Sequence, residues 1–199
     1  MDFAQVLARL ARLGRAVGAE TKDVTTAVHA LRALLEEAAV DYRIVGGLAV
    51  IHHGYPRLTE DVDVLVEAGG VARLKGQLES HGFSQPRADR LLHDATQVRV
   101  DLLEQGQPMP GPDRPSYPSP AAVGHSDSDP FIIALPGLLE LKIYAGRKQD
   151  EADAVALLKL LDEGRYLAVE AQLPAALRPQ LLLLRRDALE ELAWERSDA

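Results

Sequence analysis

The stretch that most constrains this chain is Tyr42 to Val66, YRIVGGLAVIHHGYPRLTEDVDVLV. A short apolar run, Tyr42 to Val45, stops at Gly46-Gly47. Leu48 to His53 then reads as a short helix, and Val62 to Val66 as a second apolar run, with Asp61 and Asp63 at its start. Brief apolar runs bounded by glycine and turn residues predict buried strands. Side chains on a strand alternate between its two faces, so Asp61 and Asp63 project from one side and Val62 and Val64 from the other. Two adjacent carboxylates repel each other and resist desolvation, and a bound cation is the usual compensation. A glycine pair opening a helix can turn its backbone N–H groups toward a phosphate, although a pair after a strand is also a common tight turn. The spacing is neither GxGxxG nor a Walker loop.

The rest of the chain arranges itself around this unit. Phe3, Val6, Leu7, Leu10 and Leu13 predict an amphipathic helix, residues 14–20 a break, and Asp23 to Ala39 a second helix. Val71 to His81 reads as helix and QVRVDLL, Gln97 to Leu103, as a strong strand. Residues 105–130 hold seven of the twelve prolines, so neither helix nor central strand is expected to persist there. Helical patterns follow over 136–145, 151–161, 166–173 and 177–194. The expected fold is α/β (α+β): a twisted mixed sheet with flanking helices. It divides into an N-terminal helical extension (1–40), a core (41–135) containing the proline-rich loop 105–130, and a C-terminal helical subdomain (136–199).

Composition closes off several classes of function. There is no cysteine, which excludes disulfides, thiolate catalysis and cysteine-bound zinc. None of the six histidines falls in an HExxH pattern. The net charge of −8 and the lack of a basic run argue against broad electrostatic capture of nucleic acid. Apolar runs are far too short for a membrane span, and the arginine-spaced N-terminus lacks a secretory apolar region, so a cytoplasmic location is expected.

A third acid, Asp101 in VRVDLL, lies within another apolar strand, where aspartate is disfavoured and costly to bury unpaired. If the two strands are neighbours, Asp61, Asp63 and Asp101 converge. Three carboxylates suit hard Mg²⁺, and a pair of such ions about 3.5–4 Å apart serves phosphoryl-group chemistry. A solvent-facing acidic stripe is the plainer alternative for a bare D-x-D.

Gly46-Gly47, thirteen intervening residues, Asp61-Val62-Asp63 and the later Asp101 together resemble the nucleotidyltransferase superfamily related to DNA polymerase β. The run Arg57, Thr59, Asp61, Asp63 is similar to the R-x-T-x-D-x-D signature of AbiEii-type minimal nucleotidyltransferases, known largely as toxins of toxin–antitoxin and phage-defence systems. Lys142, Arg147, Asp150 and Asp153 resemble a second block of those proteins, with Gln149 where a lysine is usual. The resemblance covers residues 40–165. It implies a nucleotidyltransferase-like fold, NTP as co-substrate and two Mg²⁺ ions held by Asp61, Asp63 and Asp101. Asp101 would also act as base, and Gly46 and Gly47 would contact the β/γ-phosphates. Arg57, Thr59, Lys142 and Arg147 would contact the nucleotide, with Arg57 alternatively a strut for the carboxylates. Leu48 stands where a serine is common, leaving Thr59 as the nearby hydroxyl. The acceptor implied is tRNA, with a cognate antitoxin protein as partner. A small-molecule acceptor and a non-catalytic interaction protein are the alternatives.

Asp150 reads as an N-cap, and Asp153 as a partner for Arg147 or Lys142. His52 and His53 read as a helix C-cap, Tyr144 as core or stacking platform, and Trp194 as packed or partner-facing.

Overall fold

The computed structural model describes residues 3–16 and 22–197. Helix α1 spans Phe3–Ala16, passing through Gly14 where a break was expected, and residues 17–20 of that break lie outside the described residues. Helix α2 (Val24–Glu37) is capped by Asp23, whose carboxylate accepts from the Thr26 N–H and hydroxyl. Its buried stripe Val24, Ala27, Val28, Leu31, Leu34 and Leu35 follows the helical period.

Strand β1 (Tyr42–Ile44), helix α3 (Gly46–His52) and strand β2 (Asp61–Val66) realise the expected strand–turn–helix–strand unit. The helix expected over 71–81 is shorter: α4 (Gly70–Leu74) ends early, and a 3-10 turn covers Glu79–His81. Next come β3 (Phe83–Arg87) and β4 (Arg90–His93), a hairpin the sequence pattern does not announce, and then β5 (Val98–Glu104). A second small hairpin, β6 (His125–Ser126) and β7 (Asp129–Ile133), emerges at the end of the proline-rich segment. Helices α5 (Leu135–Ala145), α6 (Lys148–Lys159), α7 (Glu163–Gln172) and α8 (Arg178–Ser197) complete the chain.

The seven strands form one mixed sheet in the order β3-β4-β5-β2-β1-β7-β6. β2 and β5 run parallel at its centre, β1 is antiparallel to β2 and β4 to β5. Central strands are covered on both faces, and Val62, Val64, Leu65, Val66, Val98 and Val100 are buried accordingly. One hydrophobic cluster runs from α1 and α2 through the sheet to α5, α6 and α8. No helix among the described residues is long and apolar enough to cross a membrane.

Candidate active site

The acids are brought together by strand register. β2 and β5 align with Asp63 opposite Asp101 and Asp61 opposite Arg99. Neighbouring strands lie about 4.8 Å apart, and residues in register share a face. β4 then sets Arg90 opposite Asp101. One face of the sheet centre therefore carries a row of three acids and two arginines. Arg90 Nε donates to Asp101 Oδ1 at 2.5 Å, and Arg99 Nη2 donates to Asp61 Oδ2 at 3.4 Å. Among the described residues, no side-chain hydrogen bond reaches the Asp63 carboxylate.

The glycine turn is shaped around this acidic strand. Gly46 adopts φ +57°, and a Cβ there would sit 1.8 Å from Asp63 Oδ2, so a side chain is excluded on both grounds. A Cβ on Gly47 would lie 2.7 Å from Thr59 Oγ1 and 2.9 Å from Thr59 Cβ. The Val45 N–H donates to the Asp63 carbonyl at 2.9 Å, fastening turn to strand. Thr59 is buried, and its hydroxyl faces the Asp61 carbonyl at 3.2 Å and Asp61 Oδ1 at 3.1 Å. It touches Asp61 rather than open space, which makes it a positioning group for that acid. Leu48, at the position where a serine was sought, is core.

A second charged cluster stands beside the first. Lys142 on α5 is buried, and its Nζ donates to Asp150 Oδ1 at 2.8 Å and to Asp153 Oδ2 at 2.6 Å. Arg57 Nη1 donates to the same Asp153 Oδ2 at 2.6 Å, so Arg57 braces α6 and not the strand acids. Arg147 Nε donates to Asp150 Oδ2 at 2.6 Å, while most of its side chain stays exposed. One expectation changes here and one is met. Asp150 is no N-cap, because α6 begins at Lys148 and its cap position is Arg147. Asp153 pairs with Lys142, one of its two expected partners, and with Arg57 as well. Burial raises the pKa of Asp150, but the hydrogen bonds from Arg147 and the charge of Lys142 outweigh it, and the carboxyl stays below its ordinary value.

Between the two clusters opens a cavity of about 600 Å³. Gly46, Asp63, Asp101 and Arg90 line its sheet side, Lys142, Arg147, Leu138 and Leu141 its helix side, and Met109 and Tyr117 come from the proline-rich segment. Asp61, Thr59, Arg57 and Gly47 do not line it. Burial, and then the neighbouring charges of Asp61 and Asp101, push the Asp63 carboxyl up to about 6. Burial and the charge of Asp63 also raise the Tyr117 phenol.

The donor chemistry at Asp61 and Asp63 suits a hard divalent ion: carboxylate oxygens with a surplus of negative charge at Asp63. Asp101 is held instead by Arg90 and would have to leave it to join that set. As the side chains stand, no group of three or more His, Cys, Asp or Glu among the described residues closes on one ion. The arginines explain this, since each draws one outer acid toward itself.

Arg90, Arg99, Tyr117 and Met109 were not singled out from the sequence. Arg99 carried a usable signal, standing two residues before Asp101 and so sharing its face. Arg90 carried none, because its place depends on a hairpin register. His52 and His53 serve the fold: His52 Nε2 meets Ser126 Oγ at 2.7 Å, and His53 Nε2 meets the Ile133 carbonyl at 2.9 Å.

No protein-family model matches the chain, and no curated protein sequence matches it. In fold it is similar to the crystal structure of an antigenic nucleotidyltransferase-like protein from Paracoccidioides brasiliensis. The identity is 20% and the TM-score 0.50, over 87% of this chain and 88% of that one. The chain has a nucleotidyltransferase-like fold.

Proposed function

We propose that the protein transfers a nucleoside monophosphate from an NTP to an acceptor hydroxyl. The supporting observation is the register that sets Asp61, Asp63 and Asp101 on one face, with Asp63 and Asp101 opening into a cavity that also holds Lys142 and Arg147. Cavities of about 300–1,000 Å³ are the size of small-ligand sites, and this one accommodates a nucleotide. Asp61 and Asp63, joined by Asp101, would hold Mg²⁺, which supplies charge neutralisation for the triphosphate and acidifies the acceptor hydroxyl.

The chain's own groups divide the remaining work. Gly46, having no Cβ, lets the Asp63 carboxylate pack directly against the turn that opens α3. Arg147, exposed at the cavity wall, neutralises charge that builds on the leaving pyrophosphate. Lys142 holds Asp150, and through it the Arg147 guanidinium, in place. Asp101 takes the proton from the acceptor hydroxyl, whose oxygen bonds to the α-phosphorus as the bond to the β-phosphate oxygen breaks. Pyrophosphate leaves.

The R-x-T-x-D-x-D run extends this reading to a toxin of the AbiEii type acting on tRNA, restrained by an antitoxin. A net charge of −8 favours a small hydroxylated acceptor instead. Purified protein with Mg²⁺ and each α-labelled NTP, offered total tRNA, cell protein extract or aminoglycosides, tests both. Label on tRNA supports the toxin reading and label on a small molecule replaces it. No labelled product in any arm would contradict the transferase reading.

A second reading, a nucleotidyltransferase fold kept as an interaction scaffold, draws on Arg90 and Arg99, which neutralise two of the three acids without any metal.

A further inference from the structure

The proline-rich segment folds back on itself between Gly106 and Tyr117. The Gly106 N–H donates to the Tyr117 carbonyl at 3.0 Å, the Tyr117 N–H to the Gln107 carbonyl at 2.9 Å, and the Met109 N–H to the Pro115 carbonyl at 2.9 Å. Just before the fold-back, the Gln105 N–H donates to the Val66 carbonyl at 2.9 Å, which ties its base to the end of β2. Tyr117 therefore stands on backbone that is fixed to the sheet before any ligand arrives, and a contact it makes costs little ordering.

Tyr117 lines the cavity together with Asp63, Asp101 and Arg147. It is half-buried there, and among the described residues no hydrogen bond engages its hydroxyl. The hydroxyls of Tyr42 and Tyr166 are sealed from solvent, whereas that of Tyr117 is not. Charges from both walls act on the phenol: Asp63 and Asp101 from the sheet, Arg147 and Asp150 from the start of α6. Burial, and then Asp63, hold it above its ordinary pKa, so it remains a neutral O–H donor. Arg147 commits Nε and Nη2 to Asp150, which leaves its Nη1 donors uncommitted. Between the strand acids and the arginine there is thus an open hydroxyl donor. A triphosphate held by a cation at Asp63 and reaching toward Arg147 would present anionic oxygens along that span, and such oxygens are the strongest partners for an O–H donor.

Resting on the transferase reading of the same cavity, we propose that Tyr117 is a phosphate-binding residue, whose phenol donates a hydrogen bond to the pyrophosphate portion of the bound NTP.

Calorimetric titration of the full chain in Mg²⁺ tests this, with inorganic tripolyphosphate, which carries neither base nor sugar, and each NTP as probes. Tyr117→Phe is expected to bind tripolyphosphate and the accepted NTP at least about tenfold more weakly than wild type, the loss of one hydrogen bond to a charged group. Nucleoside monophosphates, which lack the pyrophosphate portion, are expected to bind both proteins alike. Ligand-free melting temperature is expected to be the same for both, because the hydroxyl has no partner within the protein. Wild type that binds an NTP no more tightly than Tyr117→Phe does would overturn this contact and leave the transferase reading standing. A loss seen only in Tyr117→Leu would overturn it as well, since the ring and not the hydroxyl would then be at work. So would a lower ligand-free melting temperature of Tyr117→Phe, which would place the hydroxyl in a bond within the protein. Wild type that binds neither tripolyphosphate nor any NTP would overturn the transferase reading and this contact with it.

Discussion

Asp63 is the residue on which the site turns. It lies in register with Asp101 and two residues from Asp61, and its carboxyl is raised to about 6 by burial and by those two acids. Charge at Asp63 is therefore unfavourable in the folded protein without a cation. Asp63→Asn is expected to abolish nucleotidyl transfer while leaving the fold intact, and to raise thermal stability at neutral pH in the absence of metal. Activity assays and melting curves on the same preparations check both halves. Gly46 is constrained by the same carboxylate. Gly46→Ala forces a left-handed backbone on alanine and drives its Cβ into Asp63 Oδ2. A loss of about 1–3 kcal/mol is expected, measured by urea denaturation, together with weakened NTP binding from the displaced acid.

Among the elements, the pairing of β5 with β2 on one side and β4 on the other decides which groups surround Asp101. Arg90 on β4 holds the Asp101 carboxylate, and would compete with the cation of the proposed site. Arg90→Ala is expected to lower metal-free stability by about 1 kcal/mol and to tighten Mg²⁺ binding, measured by calorimetry on the purified variant. The α5–α6 cluster is held differently, by buried charges in contact. Removing one member of such a set typically costs about 3–5 kcal/mol, so Lys142→Met should unfold more readily than wild type in urea, since it leaves buried Asp150 and Asp153 to the partly exposed Arg147 and Arg57.

The same elements mark where sequence reading reaches and where it stops. Asp61, Asp63 and Asp101 were legible because strand periodicity fixes the face of each, and the apolar neighbours fix the strands. The Lys142–Asp153 pair was legible, but the part of Asp150 was not, because its place near a helix start reads as an N-cap and the helix begins two residues earlier, at Lys148. Arg57 was not, because its partner Asp153 lies 96 residues away and nothing local points to it. The β3–β4 hairpin was missed for a physical reason: β4 has four residues, β3 contains Pro86, and neither alternates cleanly. Without that hairpin, Arg90 has no address.

For the whole molecule, the titrating acids pull stability in opposite directions. The folded-state pKa of Asp63 lies above its unfolded value, so between about pH 4 and pH 6 the native state holds more protons than the unfolded one. Its effect is a loss of stability as pH rises through that window, of about 2–3 kcal/mol. Asp150, lowered by Arg147 and Lys142, contributes stability that is present above the ordinary carboxylate range and lost as pH falls below it. Metal-free melting temperature is expected to decline from pH 4.5 to 7 in the wild type, and Asp63→Asn should flatten that decline. Because a ligand that binds the folded state alone stabilises it, Mg²⁺ should reverse the decline in the wild type. The central claim, that the acidic sheet face and its cavity form a metal-dependent nucleotide site, is tested most directly by calorimetric titration of each NTP in Mg²⁺. Wild type is compared with the Asp61→Asn/Asp63→Asn double variant, both shown folded by circular dichroism. The account predicts that wild type binds at least one NTP only when Mg²⁺ is present, and that the double variant binds none. Folded wild type that binds no NTP, or a double variant that binds as tightly as wild type, would contradict it.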